Sequence, residues 1–290
     1  MIDTLQRPVL PFLQTETFAE SVAEIFERDR TMIRAVFFDI GGTVHTQQAS
    51  PEWDRTYAQM LRESLSRLGI RTEDAPEKLL EHVGKGARAY KDYAEKTLTE
   101  LPPDTIWKEF MLRDYPGCGE KVDGHGEELC YQYDRYRRRI TERPRLAQTV
   151  QALRQDGLRL GVISNIMSRT FVPRILREYG VEGYFETLVL SSVFGVRKPD
   201  PAIFDEALRI MRVSKEEAAY VGDTISRDVI GTRKAGWKLM IQIDNPLTYG
   251  KDEKYLETGY RPDVRIRELS EIVPEIRKRN QNRSREGRIK

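Results

Sequence analysis

The spacing of apolar positions changes character twice along the chain. Residues 34–40, Arg-Ala-Val-Phe-Phe-Asp-Ile, form a short apolar run that ends at an acid. Both faces of this run are apolar, as a strand inside a parallel sheet requires. Gly41 and Gly42 then break it. From about 50 to 140 the spacing is helical. Ser50 and Pro51 make an N-cap and first-turn pair, and Trp53, Tyr57, Met60, Leu61, Leu65 and Leu68 share one face up to Gly69. Leu79, Leu80, Val83, Ala87, Tyr90, Ala94 and Leu98 mark a second long helix. A third is predicted near 104–115 and a fourth near 126–140. Four helices joined by short turns predict a small bundle. Beyond Pro144, helices near 145–156, 168–179, 201–211 and 226–235 alternate with strands at Leu158–Ser164, Thr187–Leu190, Ala219–Val221 and Lys238–Ile243. Such alternation means right-handed βαβ units in a parallel sheet with helices on both faces.

The predicted fold class is therefore α/β, a Rossmann-like parallel sheet interrupted after its first strand by an all-helical insertion. The core comprises 32–48 and 141–276, and the insertion 49–140. Before them, Thr17 and Glu20 have capping-box spacing, and Phe18, Val22, Ile25 and Phe26 recur at helical intervals. This predicts a helical extension over 1–31 that packs on the body or on a second subunit, so a homodimer is compatible with it. No internal repeat is present.

Composition narrows the picture. The 290 residues are 39% hydrophobic and 32% charged, which excludes collagen-like, coiled-coil and disordered readings of the whole. No apolar run approaches the ~18 residues of a membrane span. Nor is there an apolar leader, and two cysteines make no disulfide framework, so a cytoplasmic location is expected. The 48 basic and 46 acidic residues nearly cancel. Seven of the basic ones lie between Arg277 and Lys290 against one acid, Glu286, a tail expected to be frayed and solubilising. The remainder is slightly acidic, and no nucleic-acid partner is expected.

Ligands of open parallel sheets bind at the carboxyl ends of strands. Those ends carry Asp39-Ile40-Gly41-Gly42-Thr43, then Ser164-Asn165, then Gly222-Asp223 with Asp228 five residues on; the loop after the third strand leads to Lys198-Pro199-Asp200. Carboxylates, a hydroxyl and a lysine on one rim suit phosphoryl transfer. A carboxylate can attack phosphorus once the phosphate charge is neutralised, and neighbouring carboxylates can hold Mg²⁺ through oxygen. Lysine, hydroxyl and backbone N–H groups can hold the phosphate oxygens.

With these four motifs in order at strand ends, and a helical insertion after the first, the chain resembles the haloacid dehalogenase superfamily over about residues 32–275, in the branch with a helical C1-type cap. The resemblance implies that Asp39 is the nucleophile, forming an aspartyl intermediate. Ser164 would bind the transferring phosphoryl group, with Asn165 beside it, and Lys198 would steady nucleophile and phosphate. Thr43 would fix the first loop. Mg²⁺ would be held by Asp39, the Gly41 carbonyl and Asp223, with Asp228 as a direct or water-mediated partner. The implied function is Mg²⁺-dependent hydrolysis of a small phosphorylated metabolite.

Gly41 departs from the pattern. Phosphatases of the superfamily usually carry a second aspartate there, acting first as acid toward the leaving group and then as base toward water. Losing such a group costs about 10²–10⁴-fold in rate. A slow phosphatase is the primary expectation and a catalytically weak binding or regulatory protein the alternative. Phosphonatase chemistry needs a cap lysine, and His45 to Arg55 contains none. Dehalogenases of the superfamily use no metal, which the acids at 223 and 228 disfavour. His45 reads most simply as an exposed loop histidine, or, more sharply, as a replacement acid. Cys118, His125 and Cys130 lack a zinc spacing and read as a flexible cap loop. The aromatic and basic stretch Tyr131–Arg139 reads as a solvated face, or as a source of one arginine for an anionic substrate.

Overall fold

The computed structural model describes residues 32–72, 74–115 and 117–286. The helix expected over 1–31 and the last four residues lie outside them. The first strand, β1 (Ala35–Phe38), is fully buried. The flap after it is β2 (His45–Gln48), which pairs antiparallel with β3 (Arg139–Glu142). The core sheet continues with β4 (Arg159–Ser164), β5 (Phe185–Leu190), β6 (Ala218–Gly222), β7 (Leu239–Ile243) and β8 (Val264–Ile266). Its order is β5-β4-β1-β6-β7-β8, with every pair parallel. The α/β parallel-sheet expectation is met.

Because side chains alternate across a strand, β1 feeds two cores. Val36 and Phe38 join Val162, Val221 and Ile241 beneath the helices Leu146–Gln155, Phe171–Glu178 and Ile272–Glu286. Ala35 and Phe37 face Tyr220, Met240, Trp237 and the helix Pro201–Met211. Phe37 meets Trp237 edge-on at 5.2 Å. Phe38 pairs with Val162 on one side and Val221 on the other. That register brings Asp39, Ser164 and Asp223 to one edge. The chain also leaves β1 and β6 in opposite directions there, which opens a crevice between their loops.

A third core fills the helical segment. Tyr57, Leu61 and Leu65 of the helix Pro51–Arg67 pack with Leu79, Val83 and Tyr90 of the helix Pro76–Thr97 and with Leu129 of the helix Gly126–Tyr136. Helix 76–97 approaches the backbone at Phe110 closely because Gly86 has no side chain; a Cβ there would lie 2.2 Å from the Phe110 carbonyl oxygen. Two clasps tie this segment to the core. In the first, Glu100 N–H donates to Gly195 O and Arg197 N–H to Leu98 O, both at 2.9 Å. The buried Glu100 carboxylate accepts from Tyr90, Ser191 and Arg197. In the second, Glu127 accepts from the Ser168 hydroxyl (2.7 Å), Arg169 N–H (3.0 Å) and Thr170 N–H (3.1 Å). This sets a carboxylate at the positive end of the helix Phe171–Glu178.

The structure corrects several sequence expectations. The third helix is only Pro103–Ile106 followed by a wide turn, Trp107–Met111. The fourth stops at Tyr136, and after a bend at Arg137 and Arg138 the chain forms β3. Neither HTQQ nor RITE alternates apolar with polar, so neither strand is visible as a pattern. The helix expected over 226–235 is a wide turn, Ile225–Val229, followed by Ile230–Lys234. The tail is helical through Glu286 rather than frayed. Ile272 and Ile276 are buried, and Asn280 donates to Ile33 O (3.1 Å) and accepts from Ile33 N–H (2.8 Å). Among the described residues no helix is long and apolar enough to cross a membrane.

Candidate active site

At the carboxyl edge of β1, β4 and β6 lies a cavity of about 440 Å³. Asp39, Gly41, Ser164, Asn165, Lys198 and Asp223 all line it, so six residues spread over most of the chain meet in one place. Two sequence candidates do not reach its wall. Thr43 is fully buried beneath the first loop, its hydroxyl without a partner. Asp228 lies behind Lys198.

Lys198 is the centre of the charge arrangement. Its side chain is 1% exposed, and its ammonium has three protons to place. They point at Asp39 Oδ1 (2.8 Å), Asp228 Oδ1 (2.7 Å) and the Tyr220 hydroxyl (2.7 Å). Buried charges persist only when paired and hydrogen-bonded in this way. The backbone of Lys198 is clamped by the Asn165 amide, which accepts from Lys198 N–H (2.8 Å) and donates to its carbonyl (2.9 Å). Asp228 accepts further from Thr224 N–H (2.9 Å) and its hydroxyl (2.6 Å). Burial acts to raise its pKa, but Lys198, Arg227 and these hydrogen bonds outweigh it, and Asp228 stays below the ordinary aspartate range. At Asp39 the balance reverses. Burial, with the nearby Asp228 charge adding, lifts its pKa despite Lys198. Tyr220 was not visible as a site residue, because a tyrosine inside a strand reads as core.

The two glycines of the first loop differ. Gly42 has φ +85°, and a Cβ there would fall 2.0 Å from Asp223 Oδ2 and 2.5 Å from Asn245 Nδ2. Gly42 is therefore required for Asp223 to approach the loop. Gly42→Ala is expected to lower stability by about 1–3 kcal/mol through overpacking, measured as a lower denaturation midpoint at unchanged slope. Gly41 is under no such demand. Its φ is not positive, and a Cβ would meet only Gln47 Nε2 at an ordinary 3.6 Å.

Asp223 accepts from Asn245 Nδ2 at 2.7 Å through Oδ2, while its buried Oδ1 has no partner. Burial first, then the charges of Asp228 and Asp39, raise its pKa to about 7. Asp39, Asp223 and Asp228 each bring an oxygen within 4.8 Å of the others. An orphaned carboxylate oxygen among all-oxygen donors fits a hard divalent cation.

The roof of the cavity comes from the flap and the helical segment. His45 is fully buried rather than exposed. Both ring nitrogens lack partners, and the ring lies edge-on to Phe171 (5.9 Å) and Tyr179 (6.3 Å). Burial, with Arg135 adding, depresses its pKa to about 3, so the ring is neutral near neutral pH. In the stretch read as a solvated face, Arg135 pairs with Glu178 and Arg137 with Asp54, but Arg138 lines the cavity. Asp134, missed by sequence reasoning, lines it too and accepts from Ser168 N–H at 2.8 Å. Burial raises its pKa to about 8, with Glu100 and Glu127 adding and Ser168 N–H and Arg197 opposing. Cys130 is buried in the helical core.

Comparison with known proteins follows the same lines. Residues 33–236 match the haloacid dehalogenase-like hydrolases. A glyceraldehyde 3-phosphate phosphatase of Methanopyrus kandleri is 26% identical over 252 residues, covering 85% of this chain and 100% of that protein. A phosphoserine phosphatase of Thermus thermophilus is 33% identical over 173 residues, 58% of this chain and 63% of its own. The crystal structure of a 2-haloacid dehalogenase from Pseudomonas syringae pv. Tomato shares the fold, with a TM-score of 0.59 and 24% identity over 86% of this chain and 99% of that one. The match over most of the core, with a parallel sheet that gathers the strand-end residues in one cavity, places this chain in the haloacid dehalogenase-like hydrolase family.

Proposed function

We propose that this protein is a Mg²⁺-dependent phosphohydrolase acting on small organic phosphates through an aspartyl phosphate at Asp39. The observation that carries the reading is the three-way grip of Lys198 on Asp39, Asp228 and Tyr220 beside the open carboxylate oxygen of Asp223. In the first step an oxygen of Asp39 attacks phosphorus, the bond to the leaving oxygen breaks, and that oxygen takes a proton from water. In the second, water attacks the acyl phosphate, releasing inorganic phosphate and restoring Asp39. Lys198 holds the nucleophile in place, Ser164 lies where it can meet the phosphoryl oxygens, and Asn165 lines the same cavity while its side chain fixes the Lys198 backbone. Asp39, the Gly41 carbonyl and Asp223 would hold Mg²⁺, whose positive charge would offset that of the phosphate oxygens. Asp228, with both oxygens engaged, acts chiefly by anchoring Lys198. The helical segment serves as a cap that excludes water and sets specificity. Relatives named for small phosphate monoesters support this substrate class.

Phosphate release from a panel of monoesters, with Mg²⁺ and with EDTA, tests the reading; the expected result is turnover that EDTA abolishes. The open position at Gly41 favours a second reading, a binding protein that retains the site without turnover. That reading predicts Mg²⁺ stabilisation of the fold with no phosphate release from any ester.

A pH effect follows from Asp134. Below pH about 8 its carboxyl is neutral and does not repel a phosphate dianion. As pH rises through that value the group ionises, so KM is expected to rise while kcat changes less. Asp134→Asn, neutral at every pH, is expected to remove that rise; an identical KM profile in both proteins contradicts the assignment.

A further inference from the structure

The hydrolase site leaves a second cavity without a role. It measures about 410 Å³ and shares a wall with the first, since Asn165, Lys198 and Arg227 line both. Its other charged lining residues are Lys91, Glu95, Arg197, Lys234 and Lys254, so cations exceed acids by a wide margin. Several of these charges are already answered. Lys91 lies 3.5 Å from Glu95, Arg197 pairs with Glu100, and Lys198 is held between Asp39 and Asp228. Arg227 has no carboxylate within 4.0 Å but lies in the field of Asp223, Asp228, Asp39 and Glu95, whereas the exposed Lys234 and Lys254 have, among the described residues, no carboxylate within 4.0 Å. Arg227 sits in the wide turn Ile225–Val229, Lys234 ends the helix Ile230–Lys234, and Lys254 stands over the Tyr255 ring at 5.0 Å. Leu98, Pro199 and Ile230 supply apolar wall between them. A concave, partly apolar surface focuses the field of such charges.

We propose that this cavity binds a second anionic group, of the phosphate or carboxylate class, with Lys234 and Lys254 as its contacts and Arg227 shared with the first cavity. That group arrives either on the substrate itself, making the preferred substrate a phosphate ester with a second anionic group, or as a separate small anion. The substrate form rests on the phosphohydrolase reading; anion binding as such does not.

The test uses the full chain and the double variant Lys234→Ala/Lys254→Ala, whose positions take no part in the phosphoryl-transfer site. In the turnover arm, kcat/KM for fructose 1,6-bisphosphate is compared with that for fructose 6-phosphate, with p-nitrophenyl phosphate as control. A substrate-borne group predicts a bisphosphate preference that falls by at least about tenfold in the variant, near the loss of one charge-assisted contact, with the control unchanged. In the anion arm, methylphosphonate is added to the p-nitrophenyl phosphate reaction. A separate anion predicts a change in rate at saturating substrate in the full chain and none in the variant. In the binding arm, titration calorimetry of pyrophosphate onto Asp39→Asn protein, with and without the double substitution, needs no turnover. Weaker binding in the substituted protein, with an affinity that falls as salt rises, supports the site even if no ester is hydrolysed. Equal pyrophosphate affinity with and without the lysines overturns the proposal.

Discussion

Asp39→Asn is expected to abolish turnover, lowering phosphate release by at least about 10⁴-fold, the scale of removing a nucleophile. An amide cannot attack phosphorus. The fold is expected to tolerate the change. Asp39 is pushed above its ordinary pKa by burial and by Asp228, so its loss relieves a like-charge contact while Lys198 keeps Asp228 and Tyr220. The denaturation midpoint should therefore hold or rise slightly. Residual activity near that of the parent protein would show that Asp39 is not the nucleophile.

Gly41→Asp is expected to raise steady-state turnover by about 10²–10⁴-fold, the contribution of one placed acid–base group. The reason lies in the two-step route. With p-nitrophenyl phosphate the leaving phenolate needs little protonation, so Asp39 is phosphorylated readily even with glycine at 41. Hydrolysis of the acyl phosphate then proceeds without a base, and the parent protein should release a burst of p-nitrophenol followed by a slower phase. Restoring an aspartate should remove the burst. With alkyl phosphates both steps lack the group, so the gain should be larger there. Space permits the experiment, since a Cβ at 41 makes only one ordinary contact, with Gln47. An unchanged rate in a folded Gly41→Asp protein would mean that proton transfer is met in another way.

Most of the core was legible because β1, β4, β6 and β7 are buried on both faces and therefore read as largely apolar runs. Asp39, Ser164 and Asp223 stand at the carboxyl ends of these runs and are legible with them. β2 and β3 were not legible, because a hairpin of polar residues forms through backbone pairing with no apolar face to record it. Three-residue β8 is too short for a period. The docking of the helix Ile272–Glu286 was hidden by its basic residues, while Ile272 and Ile276 hold it to the core. At the site, what stayed hidden depends on distance in sequence. Tyr220 looks like any core tyrosine until the Lys198 ammonium is placed against it. Asp134 and Arg138 belong to a helical segment whose angle over the sheet no spacing encodes. His45 sits in a polar flap, and only the packing of Phe171 and Tyr179 around it shows that it is buried.

The central claim is a covalent phosphoryl group on Asp39 despite glycine at position 41. Parent protein turning over p-nitrophenyl phosphate with Mg²⁺ would be quenched in acid, digested and analysed by mass spectrometry. The account predicts a phosphoryl adduct on the peptide containing Asp39, formed during the burst and absent when EDTA replaces Mg²⁺. Sustained Mg²⁺-dependent phosphate release with no adduct at Asp39, or with the adduct on another residue, would contradict it.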